Sequence, residues 1–218
     1  MNEARFFSNL APDVQARLTK AGRFRNFARG SVLWRRGNQA RHVYVLMSGR
    51  IGVLDAVSED RTTVITLFEP GHFITGASAL FDVPYAFSGR VIDDARVLVI
   101  PVAVYRRYVM SEPDFLLATA MNLAAHWREF MLQVRDLKQL SANQRLGFYL
   151  LAKTPKRTGA DTIQLIDDQV LIAGMLGVTR ESLSRSFSHL HEHGVIKRGR
   201  AVALSDIARL RRFCEGST

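Results

Sequence analysis

Glu181, Ser184, Arg185 and Ser188 follow one another at intervals of three, one and three residues, a spacing that on a helix sets them along one polar stripe. Their side chains match what the edges of DNA bases offer. Arg donates two bonds to guanine O6 and N7, Glu accepts from cytosine N4, and Ser is short enough to adapt. A good bidentate contact discriminates against a wrong base by roughly 1–3 kcal/mol. The same stripe would also suit an ordinary solvated helix face, so the surrounding elements decide between the two.

A reading helix needs an inward face, and Leu183, Phe187 and Leu190 supply one at i, i+4 and i+7. Thr179 precedes it as the cap, with its hydroxyl placed to accept a backbone N–H from Glu181 or Ser182. Upstream, a first helix is expected from about Asp167 to Leu176, burying Val170, Leu171, Ala173 and Leu176. Gly177 breaks it and Val178 plugs the turn, the arrangement of two short helices hinged at a glycine. Downstream, Gly194, Val195 and Ile196 leave the helix, and Lys197–Leu204 reads as a hairpin bending at Gly199. On such a wing Lys197, Arg198 and Arg200 would meet phosphates, with Thr179 and Ser188 as further phosphate contacts and Arg180 beside the base-reading set.

The net charge of +10 calls for a polyanionic partner without saying which one, and the cationic excess is denser toward the C-terminus. With 218 residues, 47% of them hydrophobic, the chain can bury two modest cores. The single cysteine, Cys214, excludes an internal disulfide and an iron–sulfur cluster of the usual four-cysteine kind. Cys214 itself reads as a packed small residue. No basic-then-apolar leader opens Met1–Leu10, and the longest apolar run, Val97–Tyr105, is broken by Pro101 and too short to cross a bilayer. A cytoplasmic protein with no membrane partner is the expectation.

Three regions follow from patterning: residues 1–110, 111–138 and 139–218. The first opens with a helical lead-in, Pro12 near its start and Val14, Leu18 and Ala21 on one face. Short β-rich runs follow (SVLW, HVYVLM, RIGVL, TTVITLF, RVLVIP), punctuated by Gly30, Gly37, Gly49 and Gly71. Strands at this spacing imply an antiparallel roll or jelly roll, so the fold class is α+β. Ser111, with Asp114 three residues on and Pro113 in the first turn, is expected to open a long helix. Along it Leu116, Ala120, Leu123, Trp127, Phe130, Val134 and Leu137 keep a heptad spacing of four and three without a polar intruder. Leu117, Met121, Ala124 and Met131 form a parallel row. The seam suits a homodimer, while one broad stripe packed on the chain's own roll is the alternative. Ser141, Ala142 and Asn143 form the expected hinge, and Arg145–Leu151 starts the last region.

With these residues in view the chain resembles the Crp/Fnr superfamily of bacterial transcription regulators. The resemblance rests on SVLWRRGNQARHVYVLMSGRIGVL and FEPGHF in the roll and on LGVTRESLSR in the helix pair. It implies a β-roll sensor, a dimerisation helix and a winged helix-turn-helix. It also implies a two-fold dimer with recognition helices about 34 Å apart on a palindromic site, and RNA polymerase as a partner. A Glu, two residues, Ser, Arg pattern falls on Glu181, Ser184 and Arg185 and implies TTGAT-like half-sites. Arg180 would read a further guanine or hold a phosphate.

For the sensor, the resemblance implies a pocket at Gly71, His72, Phe73, Tyr85, Ala86 and Arg90. Where cyclic-nucleotide-binding rolls carry Glu for the ribose and Arg for the phosphate, this chain is expected to carry His72 and Tyr85. Burying a phosphate without a cation costs several kcal/mol, which disfavours cyclic AMP and leaves a cyclic-nucleotide-dependent regulator as the alternative to a small-molecule or gas sensor. Arg90 could replace the missing cation only across a strand bulge. An apolar pocket of Phe73, Phe81, Tyr85, Phe87 and Trp127 is then expected, similar to the nitric-oxide-responsive branch, where haem would take His72, His42 or His126 as axial ligand. His189, His191 and His193 suit the negative end of a helix better than a metal. Neither a Ser/His/Asp order nor a paired-carboxylate setting suggests catalysis. A cupin-like metalloenzyme, the reading from another class, requires clustered His and Glu on the roll, where only His42 and His72 stand.

Overall fold

The computed structural model describes residue 7 and residues 10–58 and 61–216, with 56–58 and 61–62 as backbone only. The expectation about a leader falls almost wholly outside the described residues. α1 (Pro12–Ala21) has Pro12 in its first turn and buries Val14 and Leu18, as their spacing requires.

The roll is one antiparallel sheet in the order β1-β6-β3-β4, with β2 on β6 and β5 on β3. Its strands are β1 (Arg23–Phe27), β2 (Val32–Trp34), β3 (His42–Ser58), β4 (Arg61–Phe68), β5 (Phe73–Ile74) and β6 (Ser88–Pro101). HVYVLM and RIGVL, expected as separate strands, form the single long β3. Gly49 is therefore a bulge rather than a turn: the pairing with β6 slips between Leu46 and Ile51. At φ +83° a Cβ on Gly49 would lie 2.3 Å from the Asp94 carbonyl oxygen, so the crowded bulge admits only glycine.

Two helices of the roll were not legible as such. α2 (Gly76–Phe81) follows β5 directly, and α3 (Val102–Ser111) continues from β6 without a turn. α3 buries Val102, Tyr105, Tyr108 and Val109, and Tyr105 packs with Phe73 and Phe115 at ring-centroid separations of 5.0 and 5.9 Å. Ser111 is accordingly the last residue of α3 and not the cap of the long helix. Glu112, in extended conformation, separates the two, and α4 (Pro113–Gln139) starts at the proline.

The described structure forms two compact units that divide within α4, between Phe130 and Met131. The first holds two apolar clusters, one around Val45, Leu98, Tyr105 and Phe115 and one around Trp34, Tyr44, Ile51 and Tyr85. Along α4 only Phe115 and Thr119 are buried.

In the second unit, α5 (Ala142–Leu151) begins at a complete capping box: Ser141 accepts from the Gln144 N–H while the Gln144 side chain accepts from the Ser141 N–H. The expected hinge residues thus belong to a helix start, which leaves Leu140 and Ser141 between α4 and α5. A three-stranded sheet follows, β7 (Asp161–Gln164), β9 (Ala201–Leu204) and β8 (Val195–Arg198) in that order. α6 (Gln169–Leu176), α7 (Arg180–Leu190) and α8 (Ile207–Glu215) complete the unit. Its core joins Leu146, Leu150, Ile172, Leu183, Leu190, Val202, Ile207 and Cys214.

Candidate nucleic-acid interface

α6 is capped by Asp168, whose carboxylate accepts the Leu171 N–H at 2.9 Å. It ends at Gly177, which takes φ +65° and closes the turn. Its buried face includes Ile172, Ala173 and Leu176, whereas Val170 is 48% exposed and Leu171 half-buried. The sequence pattern misassigned this face because seven of the eight residues are apolar or glycine, so periodicity carries no contrast.

α7 behaves as its sequence implies. The Thr179 hydroxyl accepts the Ser182 N–H at 3.2 Å, and Leu183, Phe187 and Leu190 face the core. Ser186 is buried beside them. Arg180, Glu181, Ser184, Arg185 and Ser188 are all exposed, so the proposed reading stripe is one open surface. Its first turn is electrostatically ordered. The Glu181 carboxyl is held below the usual carboxylate range, first by its own backbone N–H and then by the Thr179 hydroxyl. It is therefore an ionised, acceptor-only group at neutral pH. Arg185 donates from Nη2 to the Ser182 hydroxyl at 2.9 Å, so Ser182 orients the guanidinium. Ser182 was not singled out in the sequence, although its i, i+3 spacing to Arg185 was available there. The Ser188 hydroxyl donates back to the Ser184 carbonyl at 3.3 Å.

After α7 a short 3-10 turn (His191–His193) ends at Gly194, φ +82°, where a Cβ would meet the Ser205 hydroxyl at 2.4 Å. β8 and β9 then form the expected hairpin. Arg198 pairs with Ala201, leaving Gly199 and Arg200 as a two-residue turn. Arg198 and Arg200 are exposed at its tip. Lys197 differs: it is half-buried, with Nζ 5.5 Å from the centre of the Phe187 ring. This cation–π contact joins the wing to α7.

Near this surface His189 and His193 pack on one another and on Phe213. His193 stacks on Phe213 at 4.0 Å between ring centroids, and His189 stacks on His193 at 5.6 Å. Among the described residues, no group of three or more His, Cys, Asp or Glu side chains is placed to hold a metal. Among the described residues the roll therefore shows no ligand cluster of the kind a cupin-like enzyme requires, and that reading gains no support.

The residues proposed for an effector pocket are dispersed. Phe73 belongs to one apolar cluster and Tyr85 to the other. Tyr85 is 5% exposed, its hydroxyl donating to the His42 carbonyl at 3.0 Å, and its ring lies 5.6 Å from Trp34. Ala86 and Arg90 are exposed. Tyr85 precedes β6, so strand alternation does not relate it to Arg90. Phe81 and Trp127 are also exposed, at 76% and 64%, so the apolar pocket expected from Phe73, Phe81, Tyr85, Phe87 and Trp127 does not form. His72 lies in the turn between β4 and β5, pinned where the Gly71 N–H donates to the Leu46 carbonyl and the Leu46 N–H to that of His72. Its ring is 5.6 Å from that of His126 on α4, with planes 12° apart, and Phe68 lies against both. Burial holds the His126 imidazole down to about 4, with the neighbouring His72 as a lesser cause.

On α4 the exposed residues include Leu116, Leu117, Met121, Trp127, Phe130, Met131 and Leu137. Ala120 is exposed as well, while Leu123 and Val134 are half-buried. No helix among the described residues is long and apolar enough to cross a membrane.

Comparisons with known proteins agree with this architecture. A cyclic nucleotide-binding domain model matches residues 24–112, and a Crp-like helix-turn-helix domain model matches residues 144–213. The chain is 24% identical to a CRP-like cAMP-activated global transcriptional regulator of Mycobacterium tuberculosis, over 96% of both chains. It is 26% identical to the nitrogen fixation regulation protein FixK of Azorhizobium caulinodans, over 86% of this chain and 77% of that one. Among solved structures, a putative cyclic nucleotide binding protein from Ruegeria pomeroyi shares 27% identity at a TM-score of 0.62, covering 98% of this chain and 95% of that one. A nucleotide-binding-type roll, a long helix and a Crp-like helix-turn-helix in this order identify the chain as a transcription regulator of the Crp/Fnr family.

Proposed function

We propose that the protein is a non-enzymatic, homodimeric, sequence-specific regulator that reads a palindromic, TTGAT-like site. The observation that carries this reading is the open stripe on α7: Glu181, Ser184 and Arg185 exposed, Arg185 oriented by Ser182, and the opposite face anchored in the core. Arg180 adds a further base or phosphate contact. Thr179, Ser188, Arg198 and Arg200 hold phosphates, and Lys197 does so from its place against Phe187.

Dimerisation through Leu116, Ala120, Leu123, Trp127, Phe130, Val134 and Leu137 gives the exposed side of α4 a partner. Water-facing apolar rows of this length are uncommon on monomers. The dimer would put two α7 helices in successive major grooves, about 34 Å apart. RNA polymerase is the second macromolecular partner and the cytoplasm the compartment.

The roll would bias the orientation of the two readers by binding a small-molecule or gas signal other than cyclic AMP, with dependence on a cyclic nucleotide as the alternative. The mycobacterial relative is cAMP-activated by name, yet in this chain Trp34, Tyr44 and Tyr85 pack together inside the roll while Arg90 lies at its surface. Selection of bound sequences from randomised duplexes tests the reading. A two-fold symmetric motif is expected, and it should emerge without added cyclic AMP.

A further inference from the structure

His72 and His126 have features that the regulator reading does not use. The His72 Nδ1 lies 2.7 Å from the Glu69 carbonyl oxygen. A carbonyl only accepts, so Nδ1–H donates and Nε2 keeps the lone pair. His126 Nε2 is buried and has no hydrogen-bond partner among the described residues. A buried polar atom left unpaired calls for an explanation. Both rings also lie against Phe68, at 5.4 and 5.2 Å, which limits water on one side.

We propose that His72 and His126 form a binding site for one late first-row transition-metal ion, with zinc as the simplest occupant. Two observations carry this. Donation of Nδ1–H to a backbone carbonyl is the outer-shell bond that orients metal-binding histidines and leaves Nε2 as ligand. The unpaired Nε2 of His126 would gain the partner it lacks. The ring centres, 5.6 Å apart, are compatible with two imidazoles on one ion, but His189 and His193 share that separation, so the oriented Nδ1 and the unpaired Nε2 are what set this pair apart. Imidazole nitrogen suits Zn, Cu, Fe and Ni. No third protein ligand stands among the described residues, so the remaining positions are open to water or to a small exogenous ligand. Occupancy would tie the turn before β5 to the middle of α4.

The test is a titration of the full-length, tag-free, chelator-treated protein with Zn²⁺, followed by heat of binding, with Co²⁺ absorption as an independent probe of nitrogen ligation. Wild type is expected to bind one ion per chain. His72→Gln and His126→Gln should each weaken binding about tenfold or more, with unaltered circular dichroism. His189→Gln, at the other histidine stack, should bind like wild type. Bound metal should raise the melting temperature of wild type but not of His126→Gln. Undiminished stoichiometric binding in both His72→Gln and His126→Gln, or no binding by wild type, would overturn the site. Operator selection by the metal-free protein reports on the DNA-reading function separately.

Discussion

The side chain of Arg145 donates from Nε to the carbonyl of Leu176 at 3.0 Å, and its Nη1 reaches the carbonyl of Leu140 at 2.7 Å. One guanidinium therefore satisfies the C-terminal end of α6 and the segment just beyond α4. Cations at helix ends are favourable for the dipole as well as for the unpaired carbonyls. Arg145→Met should destabilise the protein by about 1.5–3 kcal/mol, the range for hydrogen bonds to charged groups. Arg145→Lys should recover only part, since a point charge cannot span both carbonyls as the planar fork does. Urea unfolding of the two variants measures the difference.

On α7 the Arg185–Ser182 bond separates reading from orienting. Arg185→Ala should remove roughly 1–3 kcal/mol of discrimination at a single base pair of each half-site. Ser182→Ala leaves the guanidinium in place but free to rotate, so a smaller loss at the same base pair is expected, about 0.5–1.5 kcal/mol. Arg200→Ala, at the hairpin turn, should weaken all sequences alike and reduce the salt slope by about one. Fluorescence anisotropy with matched and mismatched duplexes at several salt concentrations distinguishes the three.

Gly147 and Cys214 pack closely enough to constrain each other. A Cβ at Gly147 would fall 2.3 Å from the Cys214 sulfur, so Gly147→Ala should cost about 1–3 kcal/mol through overpacking. Adding Cys214→Ala should restore part of that loss, a coupling that a double-mutant cycle measures. Cys214 is 1% exposed and burial pushes its thiol up to about 12. It should resist maleimide in native buffer and react only on unfolding.

The apolar side of α4 yields a separate expectation. Trp127 and Phe130 lie 6.4 Å apart between ring centroids and are 64% and 47% exposed. Trp127→Glu together with Phe130→Glu should leave the fold intact, because neither side chain is part of a core cluster. Sedimentation should then report a monomer, with operator affinity falling accordingly.

The parts legible in the sequence were those with contrast between faces. Leu183, Phe187 and Leu190 oppose five polar residues, so the cap of α7 at Thr179 and its inward face were legible, though not its end at Leu190 ahead of the 3-10 turn. The hairpin after it followed from Gly199. α6 lacks that contrast, and Ile172 rather than Val170 went inward. α3 escaped notice because VAVYRRYVM continues an apolar strand past Pro101, and only packing against Phe73 and Phe115 makes it a helix. The long helix expected to open at Ser111 starts at Pro113, since Ser111 is consumed by the preceding helix. For the sensor, the resemblance grouped Phe73, Tyr85 and Arg90, which the roll distributes to two cores and the surface. The pairing of His72 with His126 joins residues far apart in the chain and has no local signal.

Base reading by the exposed stripe of α7 is what the proposed function stands on. Its most direct measurement is selection from a randomised duplex library with wild type and Arg185→Ala side by side. Wild type should yield a two-fold symmetric motif with half-sites about 10 base pairs apart, centre to centre. Arg185→Ala should yield the same motif with one base pair per half-site relaxed. An identical motif from both proteins, or no enriched motif from wild type, would contradict base reading by α7.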